Sequence, residues 1–274
     1  MSKLLILCVD GLDPSLASEN GFCLPYEKQL AIPKELYWNG APWTPRVWPS
    51  IFAGRLEVFP EIFEINTLKK GIRKGIRKFL LDHGIRWYRS GLKIHFDETK
   101  ALRERVYHFI RMKPIVEETV LDNYNSFTYH LPAVSHDYIY GGDNLYNLQE
   151  WKQFNLLAMY LTSLNFDIAA VYCRIIDFRG HSYIEGNEDS LKKLLHLYRE
   201  VFYLAETVAK YGDVMLISDH GTLGGHTNMA YLGCTRPIKA ESVLDVREDI
   251  ESILNEKAKY NIMQPTTARI ALNR

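Results

Sequence analysis

The sequence predicts an α/β fold: a mainly parallel sheet with helices on both faces, interrupted by an inserted region. Three observations predict it. Three short aliphatic runs, Leu4–Val9, Ile168–Tyr172 and Val214–Ile217, each end at once in polar residues and Gly, as strands buried on both faces of a parallel sheet do. Between the second and third runs, Leu191, Leu194, Leu195, Tyr198, Val201, Phe202, Leu204 and Ala205 recur at helical spacing. Strand, helix, strand in that order is a parallel crossover unit. The chain has 274 residues, 47% of them hydrophobic, which suits one large core with an insertion.

The first strand opens the chain. "MSKLLILCVDG" is apolar only from Leu4 to Val9 and is closed by Asp10, too short for a signal-peptide core. No stretch approaches the ~20 apolar residues of a membrane span. Cys8, Cys23, Cys173 and Cys234 are scattered and form no CxxC pair, so reduced thiols in a cytoplasmic protein are expected. Formal net charge is zero, so global charge points to no partner.

The segment "TPRVWPSIFAG", Thr44 to Gly54, comes next. Thr44 precedes an apolar run expected to open a helix, whose first turn would offer N–H groups and partial positive charge to a phosphate. Arg46 is near enough to contact the same anion. Residues 55–150 differ in texture and are expected to be an inserted cap, leaving 1–54 and 151–274 as a discontinuous core. Lys69, Lys70, Arg73, Lys74, Arg77 and Lys78 form basic rows at helical spacing. As a working surface they would steer an anionic substrate, or hold nucleic acid or an acidic membrane; as a solvated helix face they would do neither. The stretch "NSFTYHLPAVSHDYIYGGDNLYN" reads as loop, in which His130 and His136 would be surface or packing residues or else line the pocket. Near the end, "LDVREDIESILNEKAK" reads as a helix, and the last residues as irregular.

Ligands of open α/β sheets sit beyond the carboxyl ends of the strands. Asp10 follows the first strand there. Asp177 and His181 follow the second with DxxxH spacing, Asp219 and His220 follow the third, and His226 comes six residues after His220. Taken singly, each has an ordinary structural use as a turn, cap or core residue. Together, three carboxylates converging with three imidazoles would repel and take up protons. Two divalent cations remove that conflict. Mixed Asp/His ligation favours Zn²⁺, with Mn²⁺ or Fe²⁺ also suited. A metal pair ~4 Å apart would hold the attacking and leaving oxygens of a displacement at phosphorus, and coordination would activate the otherwise inert hydroxyl of Thr44.

The ordered set resembles the alkaline phosphatase superfamily, most closely its type I phosphodiesterase/nucleotide pyrophosphatase branch. "CVDGLDP" is similar to that family's first metal-Asp motif, "TPRVWPSIFAG" to its nucleophile segment, "DFRGH" to its DxxGH motif, "SDHG" to its Asp-His motif, and "GGHTNMAYLG" supplies the final His. The resemblance implies a three-layer sandwich with an inserted cap. It implies that Asp177, His181 and His226 bind one metal, and that Asp10, Asp219 and His220 bind the other with Thr44 as further ligand and nucleophile. It implies a phosphoesterase acting on a small phosphodiester or nucleotide through a covalent threonine intermediate. The chain departs from the pattern at Ala53-Gly54, where Thr-Gly is usual, and in the segment immediately beyond, where "GRLEVFPEIF" replaces a Pro and a His-Gly. Those departures bear on substrate preference more than on the metals.

A phosphomutase or phosphotransferase of the same superfamily would use the same residues. A non-catalytic anion- or nucleic-acid-binding protein would work through the basic insertion instead. A sulfatase is disfavoured, because Thr44-Pro45-Arg46 does not fit the C/S-x-P-x-R pattern of those enzymes. The haloacid dehalogenase pattern DxDG fails at Cys8, which stands where its nucleophile should be.

Overall fold

The computed structural model describes residues 3–57, 118–134 and 147–263, apart from 39 and 133. They belong to one compact unit, Met1–Glu57 with Val116–Arg274; a second unit, Val58–Ile115, lies outside the described residues. The basic stretch 69–78, His136 and the chain end after 263 lie outside them as well.

The core is a six-stranded, mostly parallel sheet between two helical layers. In chain order the strands are β1 (Leu4–Val9), β2 (Tyr26–Ala31), β3 (Tyr37–Trp38), β4 (Ala41–Pro42), β5 (Ser126–Tyr129), β6 (Ile168–Cys173), β7 (Asp213–Ile217) and β8 (Met229–Cys234). The helices, numbered in chain order, are α1 (Pro14–Glu19), α2 (Thr44–Ala53), α3 (Asn147–Leu161), α4 (Ile175–Gly180), α5 (Glu188–Val208) and α6 (Val246–Met263). The sheet order is β2-β8-β7-β1-β6-β5, and β3 and β4 form a separate small hairpin. β7, β1, β6 and β5 run parallel, whereas β8 is antiparallel to both of its neighbours.

The three expected strands are β1, β6 and β7, all in the parallel block. Every residue of β1 is buried, because its alternate side chains enter opposite layers. Leu4, Ile6 and Cys8 join Ile168, Ala170, Tyr172, Met215 and Ile217 on one face, under α2 and α6. Leu5, Leu7 and Val9 join Ala169, Val171, Cys173, Val214 and Leu216 on the other, under α1, α3 and α5. On the first face Trp48 of α2 is fully buried and meets Tyr172 edge-on, with ring centroids 5.7 Å apart. Burying side chains of this kind stabilises the fold by about 1.5–3 kcal/mol each.

α5 forms where the helical spacing predicts. Asn187 caps it by accepting from Ser190 N, Glu188 and Asp189 occupy its first turn, and Leu194, Tyr198, Val201, Phe202, Leu204, Ala205 and Val208 form its buried stripe. α6 is the expected C-terminal helix.

Three strands depart from expectation. Ser126–Tyr129, within the stretch read as loop and insertion, form β5 and pair in parallel with β6 from Ser126↔Ile168 to Tyr129↔Val171. Residues from Val116 onward belong to the core unit, so the core resumes earlier than residue 151. β2 and β8 complete the other side of the sheet. The four cysteines are free, with Cys8, Cys173 and Cys234 buried and Cys23 exposed. Among the described residues, no helix is long and apolar enough to cross a membrane.

Candidate metal centre

The parallel register decides which residues leave the sheet together. Val9 pairs with Cys173 and Cys8 with Ile217, so Asp10, the turn into α4 and the segment from Ser218 emerge at one edge. Backbone hydrogen bonds then stitch these exits. Asp10 N donates to Cys173 O at 2.9 Å, Asp177 N to Asp10 O at 2.9 Å, and Thr222 N to Gly11 O at 3.0 Å. Gly11 is what permits the approach. Its φ is +81°, and a Cβ there would sit 2.4 Å from Asp177 Cα.

All six predicted acid and imidazole ligands lie in this cluster, together with Thr44. Asp10, Asp219 and His220 form a buried group whose ligand atoms lie within 4.8 Å of one another. His220 Nε2 stands 3.2 Å from Asp10 Oδ1, 3.4 Å from Asp219 Oδ2 and 3.1 Å from Thr44 Oγ1. Asp177 and His181, one helical turn apart, meet at 3.3 Å; His181 Nε2 is 3.1 Å from His226 Nε2, which is 3.6 Å from Asp177 Oδ1. His220 also falls within 4.8 Å of Asp177 and His226, and its ring stacks on that of His226 at 3.9 Å. The two groups therefore abut, with His220 between them. The first is closed to solvent, and the second opens outward through His181, whose side chain is 46% exposed.

The electrostatics call for positive charge. Asp10 Oδ1 and both carboxylate oxygens of Asp219 are buried without a hydrogen-bond donor of ordinary geometry. Burial, followed by the charges of Asp219 and Asp177, holds the Asp10 carboxyl well above the usual carboxylate range. Burial pushes Asp219 up to about 7. Burial and the neighbouring His220 lower His226, which favours the neutral, ligating imidazole. The spacings fit a cation as well. Zn²⁺ bonds of about 2.0–2.1 Å at tetrahedral angles place neighbouring ligand atoms about 3.3 Å apart, and the Asp177–His181–His226 triangle has sides of 3.1 to 3.6 Å. Oxygen and imidazole donors together suit Zn²⁺, Mn²⁺ or Fe²⁺. Both groups thus have the geometry and chemistry to hold a divalent cation.

Supporting residues fix the ligand atoms. His226 Nδ1 lies 2.9 Å from Pro42 O in β4; a carbonyl only accepts, so Nδ1 carries the hydrogen and Nε2 faces the cluster. Tyr172 OH donates to Asp10 Oδ2. Ser218 Oγ donates to Leu12 O and accepts from Tyr231 N, tying the segment before Asp219 to the turn after β1. None of these supports announces itself in the sequence: Tyr172 is one polar tip in an apolar run, and Ser218 looks like a strand end.

Thr44 is the first residue of α2, with Trp43 as its N-cap, so the helix begins earlier than the apolar run implied. Arg46 is the third residue of α2. Its guanidinium is buried, donates to the carbonyls of Glu35 at 3.2 Å and Tyr37 at 2.9 Å, and lies over the Trp43 ring. Those contacts give Arg46 a structural use beside the anion contact expected of it. His130, the one described His of the aromatic stretch, has φ +56° and meets Tyr129 edge-on.

No family model and no curated protein matches the chain. Solved structures do resemble it in architecture. The alkaline phosphatase from the Antarctic bacterium TAB5 is 11% identical, with a TM-score of 0.46 over 92% of this chain and 97% of that one. A variant of that enzyme with Mg bound in its M3 site gives a TM-score of 0.48 at 11% identity over the same shares. The PH0037 protein from Pyrococcus horikoshii is 13% identical, with a TM-score of 0.48 over 93% of this chain and 97% of that one.

Proposed function

We propose that the chain is a metal-dependent phosphoesterase in which Thr44 is the nucleophile. The observation that carries this reading is the position of Thr44 Oγ1, 3.1 Å from His220 Nε2 at the start of α2. That hydroxyl lies beside His220, the residue at which the buried Asp10–Asp219–His220 group abuts the more open Asp177–His181–His226 group. Bound at these groups, two divalent cations would lower the pKa of the hydroxyl and offset charge on a phosphate.

Thr44 loses its hydroxyl proton, and its oxygen bonds to phosphorus as the bond to the leaving oxygen breaks. The leaving oxygen takes up a proton. Water then cleaves the phospho- or nucleotidyl-threonine, its oxygen bonding to phosphorus as the bond to Thr44 breaks, and Thr44 regains its hydrogen. The N-terminal turn of α2 supports the reaction by presenting its positive end to the phosphate.

The motif resemblance favours phosphodiester or nucleotide pyrophosphate substrates over monoesters, and mixed Asp/His ligation favours Zn²⁺ over Mn²⁺ or Fe²⁺. Four free thiols suit the cytoplasm. The basic residues between Lys69 and Lys78 would draw an anionic substrate, in which case KM rises with salt. The test is Thr44→Ala assayed on a nitrophenyl phosphodiester with Zn²⁺ or Mn²⁺. Turnover is expected to fall to background, and undiminished turnover would overturn the assignment. Product analysis in the presence of an alcohol separates hydrolysis from transfer.

A further inference from the structure

Thr222 lies in the segment after β7, two residues beyond His220, and is fully buried. Its Oγ1 is 2.7 Å from Asp177 Oδ1 and 3.3 Å from His220 Nδ1. Those two atoms belong to different ligand groups. The hydrogens can be placed from chemistry. An ionised carboxylate only accepts, so the one hydroxyl hydrogen of Thr222 goes to Asp177. Its oxygen is then an acceptor towards His220. Gly221 O, 3.2 Å from the same Nδ1, is also only an acceptor. Both contacts therefore require the hydrogen of His220 on Nδ1. That leaves the Nε2 lone pair facing Asp10, Asp219 and Thr44.

The backbone is shaped to bring Thr222 there. Gly180, in "DFRGH", ends α4 against it. A Cβ at Gly180 would lie 2.3 Å from Thr222 O and 2.8 Å from Thr222 Cβ. Gly224 N also donates to Gly180 O at 2.9 Å. The helix carrying Asp177 and the loop carrying His220 thus touch backbone to backbone, with the Thr222 hydroxyl at the seam.

We propose that Thr222 is a positioning residue that couples the two ligand groups, orienting the Asp177 carboxylate with its hydrogen and setting the His220 tautomer with its oxygen. This rests on the metal-centre reading above. Partners of this kind raise metal affinity by holding ligands in one orientation, and removing one typically costs about 10–100-fold.

The experiment compares wild type, Thr222→Val and Thr222→Ser by Co²⁺ and Zn²⁺ titration against a chelating dye, with thermal unfolding of each metal-free protein. Valine keeps the shape and removes the hydroxyl, while serine keeps the hydroxyl. We expect Thr222→Val to bind metal about 10–100-fold more weakly, with a changed visible spectrum of the Co²⁺ form, and Thr222→Ser to restore both. The metal-free melting temperatures of the two variants should stay close to that of wild type. Should the valine variant not fold, Thr222→Ala serves in its place. Wild-type affinity without the hydroxyl, or a serine variant as weak as valine, overturns the coupling role. Absence of metal uptake by the wild type overturns the metal-centre reading, and this inference with it.

Discussion

Replacing Gly11 by Ala tests whether the meeting of β1 and α4 holds the site together. Two costs can be worked out. Gly11 has φ +81°, a left-handed conformation that costs an L-residue about 1–2 kcal/mol. Its new Cβ would also meet Asp177 at Cα 2.4 Å, N 2.6 Å and Cβ 2.7 Å. Two of those atoms are backbone, so no rotamer relieves the clash. Restoring van der Waals contact needs a shift of about 1 Å, and overpacking of that kind costs about 1–3 kcal/mol. The sum is about 2–5 kcal/mol of unfolding free energy, measured by urea denaturation of the metal-free protein.

Gly21→Ala supplies the control. Gly21 has φ +69° but nothing within 4 Å of the position its Cβ would take, so it carries the conformational cost alone. The difference between the variants isolates the clash. A displaced Asp177 should also weaken metal binding by about 10-fold or more, since ligand constellations tolerate only about 0.5 Å. If the two variants lose equal stability and Gly11→Ala binds metal normally, the close approach does not position the site.

The remaining predictions concern charge and packing. Asp10 and Asp219 have carboxyl pKa values raised by burial, Asp219 to about 7. Their protonated forms are favoured by the fold, so their contribution to metal-free stability is full below the unfolded value of about 4 and is lost as pH rises through their folded values, about 7 for Asp219. With saturating Zn²⁺ the slope should reverse across that window, because the cation needs the carboxylates ionised; urea titrations with and without chelator at several pH values show both signs. Arg46→Met should cost about 1–3 kcal/mol, through loss of the charged bonds to Glu35 and Tyr37, while metal affinity stays unchanged; calorimetric titration checks the second half. Tyr172→Phe removes the donor to Asp10 Oδ2 and should weaken metal binding about 10-fold with little loss of stability.

What the sequence discloses depends on how completely each element is buried. β1, β6 and β7 lie in the interior of the sheet with both faces covered, so they are written as uninterrupted apolar runs. β2 is an edge strand in which only Leu30 is fully buried, and Glu27, Lys28 and Gln29 make it look like a loop. β8 is nearly all buried, but Gly233 breaks its pattern. The Tyr231 ring folds over that glycine, where a Cβ would come 2.5 Å from the Tyr231 hydroxyl oxygen, so a packing feature takes the form of a turn signal. The six candidate ligand residues are legible because each follows the end of an apolar strand run. Thr222 and Arg46 were not legible in the same way: the use of each depends on which surface it meets, and no spacing rule encodes that.

Strand pairing also explains why the ligands can be so far apart in the chain. Asp10, Asp177 and Asp219 are brought together by two parallel pairings of β1, one to β6 and one to β7, and side chains alternate across a strand with a period of two residues. A slip of one residue in the β1–β7 register would turn Leu5 and Leu7 into the layer meant for Ile6 and Cys8. The apolar residues that make β1 a buried strand therefore also hold Asp10 one residue past the Val9–Cys173 pair, beside the segment that carries Asp219. Core packing and site geometry are one constraint here. Conservative changes within β1 should consequently disturb metal affinity only when they also disturb stability. Changes at Thr222 or Tyr172 should separate the two.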